Sequence, residues 1–262
     1  MSQIQFPTIG RGVVATGIMT AMALFGISQP AAAASIQTFF GIDQGNGTPP
    51  TTPVNSLSAR NSFLLAFSNS GVEDFDSFTP GTFPTLVSFP STSVTANSTN
   101  GASNFVQSGP DNGAFATSGT QFLDTVGSVN TTFTFNAAVA GVGLYVTDMS
   151  DGGSAPDQLQ LLLTLEGGET ANVTTSLTTS NNNANVFFFG VASTNPLQKI
   201  TAIQITNSFP TEGDVFGMDD LTIGTSLAGT DTPEPGTFLS LGTGFAGLLA
   251  LFVRQRRLSA GN

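Results

Sequence analysis

The sequence contains no cysteine, no histidine and no tryptophan, and only one tyrosine, Tyr145. Lack of cysteine excludes disulfides, thiol chemistry and cysteine-ligated metal. Lack of histidine removes the commonest general base, and a carboxylate pair remains possible. Charge is sparse as well, at 9% of residues, and basic charge is sparsest: six Lys and Arg against 17 Asp and Glu, for a net charge of -11. Four of the six basic residues stand near the ends, as Arg11, Arg254, Arg256 and Arg257, which leaves Arg60 and Lys199 in the middle. Between Ser35 and Thr232 lie all the acidic residues except Glu234, so this body carries a charge near -14. Such a surface repels nucleic acid and favours cations or neutral partners.

What the chain does have is apolar bulk. Its 262 residues are 39% hydrophobic and include 23 Phe, enough for a core and unlike a disordered polyelectrolyte. Once both terminal segments are set aside, the length suits one substantial β domain.

Both ends read as addresses. Residues Met1 to Arg11 hold one positive charge, Gly12 to Ile27 are apolar, and Ala31 to Ala34 offer small side chains. This is the pattern of a secretory signal peptide, with Ala32 and Ala34 as the small residues read by signal peptidase and cleavage after Ala34. The alternative is a permanently inserted N-terminal helix. At the other end, Gly236 to Val253 are 18 uncharged residues. As a helix at 1.5 Å per residue they reach about 27 Å, just enough to cross a bilayer. Arg254, Arg256 and Arg257 follow directly and would hold that end in the cytoplasm, with the body outside.

Pro233-Glu234-Pro235, the apolar helix and the arginine cluster together resemble the tripartite PEP-CTERM tail of Gram-negative bacteria. The resemblance implies an exosortase as processing partner, which would cut near Pro233 to Pro235. It implies passage through the Sec translocon, transient anchoring in the inner membrane, and delivery to the cell surface or extracellular matrix. Thr232 stands where Val often precedes the motif, and Gln255 interrupts the basic cluster. An ordinary membrane anchor is the competing reading of the same helix.

Between the ends, short β-branched and aromatic segments alternate with turn clusters such as Thr79-Pro80-Gly81-Thr82, Ser108 to Gly113 and Asp151-Gly152-Gly153. Strands are expected at Thr131 to Phe135, with Phe133 and Phe135 inward, and at Val142 to Val146, Leu159 to Leu165, Asn185 to Phe189, Ile200 to Ile205 and Met218 to Ile223. The apolar runs Leu161 to Leu163 and Phe187 to Phe189 read as buried central strands. No repeat is convincing. The expected fold is all-β: a jelly-roll-like two-sheet β-sandwich, with an N-terminal signal helix and a C-terminal transmembrane helix. The expected order is a signal peptide over 1–34, a Thr/Pro/Asn-rich segment over 35–70 with an opening strand or short helix, the sandwich over 71–226, a linker over 227–232 and the sorting and transmembrane tail over 233–262.

Candidates for a glycosidase carboxylate pair are Glu73, Asp76, Glu166 and Glu169, but Glu166-Gly167-Gly168-Glu169 reads better as a solvated hairpin turn. Asp148 to Gly153, with Asp157, has oxygens at short spacing but lacks the EF-hand pattern. Glu73-Asp74-Phe75-Asp76 and the closing strand with Asp214, Asp219 and Asp220 locally resemble MAM-like and carbohydrate-binding-module-like sandwiches. That resemblance implies a structural calcium (Ca2+) held by Asp76 with Asp219 or Asp220. Strand alternation sends Asp219 and Asp220 to opposite faces, so one is expected inside and in need of a cation or hydrogen bonds. The functional expectation is an exported, non-catalytic surface or matrix protein. The alternatives are a carbohydrate-binding protein acting on exopolysaccharide and, behind it, a carboxylate-only glycoside hydrolase.

Overall fold

The structure, a computed structural model, describes residues 35–100, 103–126, 130–150, 158–175, 177, 183–208 and 215–229. The expected signal peptide, the transmembrane helix and the sorting motif lie outside the described residues, as do Asp214 and the Asp151 to Gly153 turn. Among the described residues no helix is long and apolar enough to cross a membrane.

The chain runs β1 (Ile36–Asp43), α1 (Val54–Leu65), β2 (Phe67–Glu73), β3 (Leu86–Ser88), β4 (Thr95–Asn100), β5 (Ser103–Ser108) and β6 (Gln121–Val126). It continues through β7 (Asn130–Val139), β8 (Gly141–Thr147), β9 (Gln158–Leu165), β10 (Thr170–Thr174), β11 (Val186–Ser193), β12 (Ile200–Ser208) and β13 (Val215–Leu227). Seven strands form one sheet in the order β1-β11-β8-β13-β6-β5, with β2 also on β13, and six form a second in the order β10-β9-β12-β7-β4-β3. Neighbouring strands pair antiparallel throughout. The expected two-sheet sandwich is the fold, and the strands read from the sequence all form. The 35–70 segment contributes β1, α1 and most of β2, so the sandwich begins ahead of residue 71.

Period-two alternation builds the core between the sheets. Phe133 and Phe135 of β7, Leu159, Leu161, Leu163 and Leu165 of β9, and Phe187 and Phe189 of β11 share one apolar cluster. Burial of each such side chain contributes roughly 1.5–3 kcal/mol. The intervening Phe188 points to the other face of the first sheet, into a second cluster with Phe39, Phe63, Phe67 and Tyr145. The element covering that face is α1. Phe63 of α1 is fully buried, with ring centroids 5.5 Å from Phe39, 4.8 Å from Phe67 and 5.4 Å from Phe188. Apolar packing on both faces is why the Phe187 to Phe189 run is buried throughout. Leu162, by contrast, is only half-buried in an alternating strand, because nothing described covers the outer face of the second sheet.

The helix needs outside help, since its sequence VNSLSARNSFLL has neither a side-chain cap of its own nor an acid in its first turn. The help comes from the end of β1. The Asp43 carboxylate accepts hydrogen bonds from Asn55 N (3.0 Å), Ser56 N (2.8 Å) and Ser56 Oγ (2.8 Å), which satisfies orphan N–H groups and sets negative charge at the positive end of the dipole. Gly41 permits the close approach: a Cβ there would lie 2.2 Å from the Asn55 carbonyl oxygen.

Two further features bear on function. In β13 the register slips by one residue between Asp219 and Thr222, and Asp220 adopts φ 48. This bulge falls where β13 exchanges its partner β6 (through Met218) for β2 (from Leu221, opposite Glu73). On the outer face of the second sheet, Gln204 lies between Thr132 and Leu162, which adjoins Asn172; Ala202 lies between Thr134 and Thr164, and Thr134 adjoins Asn97. None of these residues is charged.

Candidate binding cleft and its acid-held loop

A cleft of about 770 Å³ opens on the helix-bearing side of the first sheet, lined by Pro49, Pro50, Pro53, Leu57 and Arg60 on one wall and by the 115–120 loop on the other, with Tyr145 and Asp220 between. Its size suits a small-molecule or oligosaccharide site. Proline gives a wall whose backbone is already restricted.

The loop wall is held by the acids that the sequence singled out. Asp219, 1% exposed, accepts hydrogen bonds at Oδ2 from Thr117 N (2.7 Å), Thr117 Oγ1 (2.9 Å) and Ser118 N (3.1 Å), and at Oδ1 from Asp220 N (2.7 Å). Asp76 Oδ1 accepts from Thr120 N (2.9 Å) and Gln121 N (2.8 Å). Ser118 Oγ donates to Asp220 Oδ1 at 2.6 Å. Glycine is required between these anchors: Gly119 has φ +57, and a Cβ there would sit 1.9 Å from Asp76 Oδ2. The two acidic groups therefore do converge, across the β2–β13 pairing, and they converge on a loop.

Burial sets their protonation. Desolvation, reinforced by the neighbouring Asp220 charge and opposed by the Ser118, Thr117 and Asp220 hydrogen bonds, pushes Asp219 up to about 7. Burial raises Asp220 also, against the Ser118 hydrogen bond and the Arg60 charge. Glu73 is raised by burial while its carboxylate accepts from Phe75 N (2.9 Å) and Ser88 N (3.4 Å), tying down Phe75 at φ 60.

The calcium implied by the resemblance fits these residues poorly. The donors turned toward Asp219 are N–H and O–H groups, whose hydrogens face the carboxylate where a hard cation needs six to eight oxygens. Among the described residues no cluster of three or more acidic side chains could hold a metal. Asp148, also 1% exposed, accepts a hydrogen bond from Ala184 N. Glu166 and Glu169 stand exposed in the β9–β10 hairpin, where they accept from Lys199 N (3.2 Å) and Gln198 Nε2 (2.7 Å). The φ values of Gly167 and Gly168, 97 and 86, make that hairpin turn.

Arg60, Tyr145 and Ser118 were not among the sequence-derived candidates. The Arg60 guanidinium carbon lies 6.0 Å from the centroid of the Tyr145 ring, within cation–π reach. Burial pushes the Tyr145 hydroxyl up to about 12, with the Arg60 charge opposing. The one available signal was arithmetic: Arg60 and Lys199 are the only basic residues of the body.

The described residues thus define a class, a two-sheet β-sandwich with one helix packed outside and a proline-walled cleft beside it. The particular identification comes from the tail: residues 231–257 match the model of the PEP-CTERM protein-sorting motif, and the chain carries that motif. Among curated proteins none matches the chain. Among solved structures it is similar to the C-terminal family 22 carbohydrate binding module of Clostridium thermocellum Xyn10B, at 13% identity over 64% of this chain and 98% of that one, with a TM-score of 0.35. It is also similar to the CBM22-1 xylan-binding domain of Paenibacillus barcinonensis Xyn10C, at 16% identity over 61% and 92%, with a TM-score of 0.32. The family 11 module from Clostridium thermocellum shares 9% identity over 60% and 96%, with a TM-score of 0.31. These stand as likenesses and say nothing of what this chain binds.

Proposed function

We propose that the chain is an exported, non-catalytic cell-surface or extracellular-matrix protein, released from an inner-membrane intermediate by an exosortase. The observation that carries this reading is the sorting motif at 231–257, which implies export and delivery to the surface. The engagement of the candidate carboxylates supports the non-catalytic reading. Asp76 and Asp219 are spent on loop N–H groups, and Glu166 and Glu169 sit in an exposed turn. The uncharged outer face of the second sheet suits a matrix component. The test is fractionation of cells making the intact chain or a chain truncated before residue 231, with and without the exosortase. The intact chain is expected on the surface when the exosortase is present and in the inner membrane when it is absent. Identical distribution in both hosts would refute the proposal.

The cleft favours a second reading, binding of exopolysaccharide. A sheet face lined by exposed phenylalanine does not occur among the described residues, whose exposed large hydrophobics are Val54, Leu57, Leu65, Leu86 and Leu197. Sugar would bind beside α1. Affinity electrophoresis in the exopolysaccharide of the producing strain tests this: retardation is expected, and unretarded migration counts against it.

A further inference from the structure

Among the described residues that line the cleft, one is a cation and one a carboxylate, and their combination restricts the ligand. Arg60, half-buried on α1, lines the cleft with its guanidinium set against Tyr145. Its Nε is buried and finds no hydrogen-bond acceptor among the described residues. A guanidinium carries five donors and no acceptor; the buried Nε is out of a ligand's reach, so it is the terminal N–H groups of Arg60 that a ligand in the cleft would meet. Asp220 lines the same cleft, engaged at Oδ1 by Ser118.

A ligand lying between them must both accept from Arg60 and leave Asp220 satisfied. An anion would answer Arg60 but would meet Asp220 and a body charged near -14. A cation would meet Arg60. A hydroxyl group does both jobs, since it donates and accepts, and vicinal hydroxyls could bridge the pair while the C–H face of a pyranose packs on the proline wall. We infer that Arg60 and Asp220 form the donor–acceptor pair that anchors a neutral saccharide unit in this cleft, with Tyr145 orienting the guanidinium. The inference rests on the exopolysaccharide-binding reading and narrows it to uncharged glycans.

The chain supplies its own probe, because Tyr145 is the sole tyrosine and there is no tryptophan. Tyrosine emission and calorimetry of the purified full chain would be followed during titration with neutral gluco-, xylo-, manno- and galacto-tetraoses and with oligogalacturonate of equal length. At least one neutral sugar is expected to bind, to change the Tyr145 emission and to hold its affinity as salt is raised. In Arg60→Met that affinity should fall about tenfold or more, as loss of a charge-assisted hydrogen bond implies. Arg60→Lys, which keeps the charge and loses the planar fork, should recover only part of it. Unchanged melting temperatures in both variants would show that the fold survives. Neutral-sugar binding unaffected by Arg60→Met, or salt-sensitive preference for oligogalacturonate, would overturn the inference while leaving glycan binding intact. Binding of none of the neutral sugars would overturn the inference, and unretarded migration in the exopolysaccharide as well would overturn both.

Discussion

Asp219 shows how a residue chosen for one chemistry can serve another. A carboxylate next to another carboxylate in a closing strand suggested a cation site, but its oxygens accept four hydrogen bonds from the 117–118 segment and Asp220 N. With its pKa raised from 3.8 to about 7, the folded state holds a proton that the unfolded chain releases. Stability from this group is therefore present at low pH and declines as pH rises from about 4 to about 7. Thermal melting across that range should show the decline, and Asp219→Asn should make it shallower, the remainder coming from the other buried acids Glu73, Asp124 and Asp220; an unchanged slope in the variant would assign the dependence elsewhere. Asp219 and Asp220 were legible because acids inside an apolar strand pattern are conspicuous, and Asp76 because it closes the Glu73-Asp74-Phe75-Asp76 cluster. Ser118 and Tyr145 were not, because a Ser/Thr/Gly loop and a tyrosine in a strand are ordinary until something packs beside them. Gly119→Ala should destabilise by about 1–3 kcal/mol through its positive φ and its contact with Asp76, measured by denaturant unfolding.

At the scale of elements, α1 is the piece that alternation could not foresee. Its apolar positions form no strong stripe, and its cap comes from Asp43, twelve residues before Asn55. The run Phe187 to Phe189 hinted that the first sheet is covered on both faces, but which segment covers it depends on where β1 pairs. Phe63→Ala would remove the ring packed among Phe39, Phe67 and Phe188. A loss of about 3–5 kcal/mol is expected. Since α1 also carries Arg60 and one wall of the cleft, glycan affinity should fall in the same variant. Asp43→Ala should cost about 1 kcal/mol through the lost cap. Unfolding midpoints of the two variants test both values.

For the whole molecule, the charge distribution ties the parts together. Four of the six basic residues lie outside Ser35 to Thr232, so the body between the two ends is strongly acidic. A calcium requirement would be natural for such a body. The hydrogen bonding of the converging acids points instead to stability without it, and the melting temperature should be the same with chelator and with added calcium. A rise of several degrees on calcium addition would show that a cation site forms after all.

The sequence by itself determined destination and strand pattern, because sorting motifs and β-alternation are local: each is carried by a short run of residues whose types and spacing are enough. The tertiary structure alone decided what the acids do and where a ligand could sit. Asp76 and Asp219 acquire their role only when β2 pairs with β13 and a loop from between β5 and β6 settles against both. Arg60 becomes part of a cleft only when Asp43 caps α1 and Phe63 anchors it over Tyr145. Those contacts join residues far apart in the chain, and no local pattern specifies them.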